Sequence, residues 1–154
     1  MIQTKIISGF PGIGKSYFYN KNKDISLDSD SSCFHWNIIN GKKETNKCFP
    51  NNYIKNIKEN IGRYEYIFVS SHKIVRDALK QNCLFYYLVY PNMNMKDVFI
   101  KRYTERGNDE KFIERVNENW NQWINECQNV IIGCKNIEMQ FDNLSHIIDY
   151  NIEK

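Results

Sequence analysis

A short β-branched run that ends in a glycine-rich loop and restarts as a helix leaves a chain few topologies, and this chain opens on one. Residues 3–8, QTKIIS, read as a buried strand. Residues 9–16 follow as Gly9-Phe10-Pro11-Gly12-Ile13-Gly14-Lys15-Ser16, and a helix carrying Tyr17, Phe18 and Tyr19 begins at Lys15. A strand that must cross over through a helix pairs with a parallel neighbour. The alternation then continues: strands are expected at 25–28, 64–70, 84–90 and 137–141, and helices at 50–61, 73–82, 95–105 and 110–128, with LSHIIDY (144–150) as a short closing helix. The segment LFYYLVY (84–90) is almost wholly apolar, as a parallel strand buried on both faces requires. On the long helix Ile113, Val116, Trp120, Trp123, Ile124 and Cys127 share one face, which makes the tryptophans core anchors. Residues 29–49 are polar and aperiodic and read as a loop with at most one helical turn.

The pattern predicts an α/β fold: one domain over residues 1–154, with a five-stranded parallel sheet flanked by helices. A chain of 154 residues can bury a single core, whereas two domains would be cramped. In such sheets ligands sit beyond the carboxyl ends of the strands. The segments to question are therefore 9–16, 28–32 and 70–76.

The sequence of the first segment fits G-x-x-x-x-G-K-S without a mismatch. Its glycines let backbone N–H groups curl around an anion, and the helix N-terminus adds its dipole. Lys15 is placed to reach β- and γ-phosphates, and the Ser16 hydroxyl to ligate Mg²⁺. A nucleoside triphosphate held by Gly9, Gly12, Ile13, Gly14, Lys15, Ser16 and Tyr17 is the expectation. In the second segment, LDSDSS, Asp28 and Asp30 could take a proton from an acceptor hydroxyl or support Mg²⁺ through water, Asp30 foremost beside Ser16; equally, either could cap a turn.

In the third segment, FVSSHKIVRDAL, the strand ends in Ser70 and Ser71 with no carboxylate to hold a metal. Ser71 and His72 could contact an acceptor, with His72 otherwise a cap. Arg76 could bind an anionic group in bidentate fashion, or pair with Asp77 or Glu59. Farther on, Arg102 and Arg106 lie four apart on one helical face just before Gly107. In a chain with 21 Lys and Arg of which only five are arginine, three of the five fall within KRYTERGNDEKFIER. Such a segment, about 95–110, suits a lid that closes on a triphosphate; the bland alternative is a solvated face paired with Glu105, Glu110 and Glu114. Phe34, His35 and Trp36, within an acceptor region of about 29–62, could clamp a base or sugar or plug the loop. Base contacts to the donor are expected from the stretch 129–135.

The order of these pieces resembles the P-loop nucleoside and nucleotide kinase-like proteins, which include adenylate, shikimate and gluconate kinases and the kinase domain of phage polynucleotide kinases. Asp28-Ser29-Asp30 looks like the D-x-D of gluconate kinases, SSHKIVRDAL like their segment after the third strand, and KRYTERGNDEKF like a short arginine-bearing lid. The gluconate-kinase His-Pro and the adenylate-kinase D-G-F-P-R are both missing. The resemblance implies a P-loop NTPase fold that binds ATP and Mg²⁺ through Lys15 and Ser16. It implies that Asp28 and Asp30 meet the acceptor, that Arg76 holds it, and that Arg102 and Arg106 hold the phosphates in transfer. The implied activity is transfer of the γ-phosphate to a small acceptor, foremost a nucleotide. A 5′-hydroxyl polynucleotide or modified-base DNA kinase is the alternative enzyme, and a nucleotide-binding regulator with little turnover is the alternative of another class.

Composition trims these readings. A net charge of +3 does not favour nucleic acid as the partner. No apolar run approaches a membrane span, and MIQTKIIS is not a signal peptide. Five scattered cysteines without C-x-x-C spacing read as reduced thiols in a cytoplasmic protein. The abundance of Lys, Asn and Ile points to an AT-rich coding sequence, viral or phage-borne or from a low-GC bacterium.

Overall fold

The computed structural model describes residues 1–141 and 143–153. β1 (Lys5–Gly9) leads through the glycine-rich loop into α1 (Lys15–Lys21), and β2 (Ser26–Asp28) follows. After an excursion described below come α3 (Asn51–Asn60), β5 (Tyr66–Ser70), α4 (Lys73–Gln81) and β6 (Tyr86–Pro91). The chain then passes through α5 (Lys96–Glu105) and α6 (Glu110–Gln128) to β7 (Cys134–Met139) and the short α7 (Leu144–Ile147). The five long-range strands form one parallel sheet in the order β2-β5-β1-β6-β7, flanked by helices. The expected α/β architecture is therefore present.

The central strands are buried on both faces: Ile7, Ile67, Phe68, Val69, Leu88 and Val89 have no exposed surface. This is why they read as continuous apolar runs rather than alternating ones. The helices supply amphipathic covers, with Val75, Ala78 and Leu79 of α4 and Val116, Trp120, Ile124 and Cys127 of α6 turned inward. Trp120 is an anchor as expected: it is 1% exposed, and its indole N–H donates to the Met93 carbonyl at 2.9 Å.

Two expectations need correction. The segment 29–49 is not a loop with one helical turn. It holds that turn as α2 (Ser32–His35) but continues as an antiparallel hairpin, β3 (Trp36–Ile39) and β4 (Lys42–Thr45). Asn40 and Gly41 both have positive φ (51° and 75°), the geometry of a two-residue hairpin turn that favours Asn-Gly. Every strand residue of this hairpin is exposed, so no buried face imposed a readable alternation. The last strand, expected at 137–141, instead starts at Cys134 and ends at Met139, paired along its length with β6. Among the described residues no helix is long and apolar enough to cross a membrane.

Register brings the carboxyl ends of β1, β2 and β5 together, because Gly9 lies opposite Ser70 and Asp28 opposite Phe68. A cleft opens above them.

Candidate active site

The glycine-rich loop owes its shape to two positions that no side chain could share. Gly14, the N-cap of α1, has φ 107°, a conformation that L side chains rarely adopt. Gly12 has φ 87°, and a Cβ there would lie 2.7 Å from Cε1 of Tyr103. That close approach shows what holds the loop: α5 is docked on it. The Tyr103 hydroxyl donates to the Pro11 carbonyl at 2.5 Å, Arg102 Nη1 donates to the Gly12 carbonyl at 3.1 Å, and Phe10 packs edge-on against Trp120 (5.5 Å between centroids) and Phe99 (6.3 Å). The arginine-bearing helix is thus seated against the loop by buried aromatics, with Gly107 (φ 75°) closing it off.

The resulting cleft has a volume of about 1090 Å³. Gly9, Gly12, Ile13, Gly14, Lys15, Ser16 and Tyr17 line it, as do Asp28, Asp30, His72, Arg102 and Arg106, so most of the expected site residues meet in one place. Ile13 is 2% exposed and belongs to the core, while Tyr17 is at the mouth, its hydroxyl accepting from Lys21 Nζ at 2.6 Å. Ser16 Oγ donates to Asp28 Oδ2 at 2.8 Å. Asp30 lies two residues on, and its Oδ1 accepts the Ser32 backbone N–H at 2.9 Å, leaving Oδ2 without a hydrogen bond among the described residues. The turn-capping role and a place on the cleft wall therefore coexist at Asp30. The segment is fixed from below by Tyr53, fully buried, whose hydroxyl donates to the Ser29 carbonyl at 2.6 Å.

Of the two carboxylates expected near a metal, Asp28 is the one hydrogen-bonded to Ser16. Lys15 folds back so that Nζ donates to the Gly9 carbonyl. Burial pushes its pKa from 10.5 down to about 8; Asp28 and Asp30 act against the drop, whereas Arg106 adds to it. The His72 imidazole is also held below its ordinary 6.5, by desolvation first and then by the charges of Lys15, Arg115, His35 and Arg76.

No protein-family model and no curated protein sequence matches this chain. What the cleft can do follows from its residues.

Three expected site residues stand apart from it. Arg76 is 7% exposed and lines a different cavity, of about 750 Å³, between α4 and α6. There its Nε donates to the Ser71 carbonyl at 2.8 Å and its Nη2 lies 3.9 Å from Glu126, a partner other than the expected Asp77 or Glu59. Ser71 therefore serves Arg76, and Ser70 takes its place on the cleft wall. Trp36 is 37% exposed at the base of the hairpin, stacked on His35 at 4.4 Å; His35 in turn stacks on Phe49 at 4.5 Å. Phe34 packs against Tyr53 at 5.2 Å.

The stretch 129–135 is not at the cleft either. Asn129, Val130, Ile131 and Ile132 line the second cavity, and Lys135 donates from β7 to the Asn151 carbonyl at 3.0 Å. Asn143, Leu144 and Ser145 line the cleft instead. The signal for them was available: the rule that ligands sit beyond strand ends applies to β7 as much as to the first three strands.

Proposed function

We propose that the chain is an ATP-dependent phosphotransferase of P-loop type, with the glycine-rich loop as donor site and the Asp28–Ser32 wall as acceptor site. The observation that carries this reading is the convergence on one cleft. Lys15, Arg102 and Arg106 line it together with the Ser16–Asp28 contact and Asp30. A loop that only holds Mg·ATP accounts for the Ser16–Asp28 pair but leaves Asp30 on the same cleft without a use.

The roles follow from charge and reach. Backbone N–H groups of the loop and the α1 N-terminus cradle the polyphosphate. Lys15 leaves the Gly9 carbonyl for the β- and γ-oxygens, and the anion restores its full positive charge. Arg102 and Arg106, on the docked α5 lid, neutralise charge that spreads over the phosphoryl oxygens in transfer. Ser16 and Asp28 offer hard oxygen donors of the kind Mg²⁺ takes, and would hold it, where it supplies charge neutralisation to the phosphates. Asp30, with Oδ2 unengaged, orients the acceptor oxygen and accepts its proton. A cytoplasmic setting fits a consumer of ATP.

The test is transfer of label from γ-labelled ATP to a panel of nucleosides, nucleotides, sugars and oligonucleotides. Label in one acceptor class supports the reading. Tight Mg·ATP binding with no labelled acceptor would refute it in favour of a nucleotide-binding regulator.

A further inference from the structure

We infer that the second cavity, between α4 and α6, is a binding site for a small organic monocarboxylate with an apolar body. It shares no lining residue with the glycine-rich cleft, so it stands whether or not that cleft transfers phosphate. At about 750 Å³ it has the size of a small-molecule pocket. What marks it is Arg76, which lines the cavity with a side chain only 8% exposed. Nε donates to the Ser71 carbonyl at 2.8 Å, but neither terminal nitrogen makes a hydrogen bond among the described residues. The Glu126 carboxylate lies 3.9 Å from Nη2, too far for a hydrogen bond, on a side chain 43% exposed. A buried guanidinium carries a desolvation cost that is offset only when its N–H fork is filled. A carboxylate in the cavity fills that fork in bidentate fashion.

The charges around the cavity set the class of anion. Lys73, Arg76 and Lys80 line it with Asp77 and Glu126, three cations against two carboxylates. Lys73 is taken by Asp77 at 2.5 Å, which leaves Arg76 and Lys80 to Glu126. One more carboxylate completes that balance, whereas a phosphate dianion exceeds it.

The rest of the lining sets the body of the ligand. Tyr86 of β6, buried at 1% exposure, and Val130, Ile131 and Ile132, just past the end of α6, give the cavity apolar surface. Ile131 and Ile132 are 82% and 61% exposed. Two adjacent isoleucines left in solvent beside a buried cation gain by covering an aromatic or branched aliphatic group.

Titration of the isotope-labelled full chain with phenylacetate, followed by amide NMR, tests the site. Phenylacetate should shift the signals of residues 130–132 saturably, and saturating Mg·ATP should not displace it. Phenylacetamide keeps the shape and loses the charge, and phenyl phosphate carries close to two charges. Each should bind about tenfold more weakly or worse. Glu126→Gln removes the competing carboxylate and should tighten phenylacetate several-fold, whereas Lys80→Gln should weaken it several-fold. Arg76→Lys keeps the charge without the fork and should weaken binding about tenfold or more. Should that variant fail to fold, the opposed shifts from Glu126→Gln and Lys80→Gln decide. No saturable shift, shifts confined to the residue 9–16 loop, equal binding of the amide, or an affinity that ignores Glu126 and Lys80 would overturn the site. Equal or tighter binding of phenyl phosphate would overturn the choice of a monocarboxylate.

Discussion

Lys15 should destabilise the empty protein, and replacing it should reveal by how much. In the folded chain its pKa falls from 10.5 to about 8, chiefly through burial. Each unit corresponds to 1.36 kcal/mol, so keeping the charge in place costs about 3 kcal/mol at pH 7. Against this, Nζ donates to the Gly9 carbonyl, a bond worth about 1 kcal/mol net. Lys15→Met keeps the apolar stem and removes the charge, for a net gain of about 2 kcal/mol. At this chain length that raises Tm by about 4–8 °C. The sign with pH is fixed by linkage. Between the folded value of about 8 and the unfolded 10.5 the unfolded chain binds more protons, so wild-type stability rises with pH across that window. The variant lacks the rise. Thermal melts of both proteins at pH 7 and pH 10 should show a large gap at pH 7 that shrinks at pH 10. A variant less stable than wild type at pH 7, or a gap independent of pH, would rule out burial of a charged Lys15 as a destabilising feature.

Other consequences can be measured in parallel. At pH 8.5 roughly three-quarters of Lys15 is neutral, so Mg·ATP binding should take up about three-quarters of a proton, read by calorimetry in buffers of different ionisation enthalpy; zero uptake would contradict the assignment. Asp30→Asn should slow transfer by about 10²-fold or more while ATP affinity stays within a few-fold, and normal turnover would remove Asp30 as base. Arg102→Ala should lower turnover by about 10²–10³-fold; a change confined to stability would make the residue a clamp on Gly12 alone. Tyr53→Phe leaves the Ser29 carbonyl without its partner and should cost about 1–2 kcal/mol in urea unfolding, slowing transfer without weakening ATP binding.

The parallel sheet was legible because burial writes itself into sequence. Ile6 and Ile7 of β1 and residues 86–90 of β6 form apolar runs because helices cover the sheet, while Phe85, ahead of the strand, is exposed, and GFPGIGKS is constrained at Gly12 and Gly14 by backbone shape. The hairpin over 36–45 was illegible for the opposite reason. With every strand residue in solvent there is no hydrophobic alternation, and only Asn40-Gly41 marked the turn. On the site, residues fixed by backbone position, Lys15, Ser16, Asp28 and Asp30, came together as read. Arg76 did not, because a position one turn into α4 can face either the cleft or α6, and packing against α6 with Glu126 decided it. Helical phase alone cannot predict that choice.

A triphosphate in the residue 9–16 loop should have its γ-phosphorus facing Asp28 and Asp30. A crystal structure with Mg²⁺ and a non-hydrolysable ATP analogue tests it directly. Lys15 should be swung from the Gly9 carbonyl onto the β- and γ-oxygens, with Ser16 and Asp28 at the metal and Asp30 across from the terminal phosphate. An analogue bound outside this loop, or one whose terminal phosphate points away from Asp30 with Lys15 still on Gly9, would contradict it.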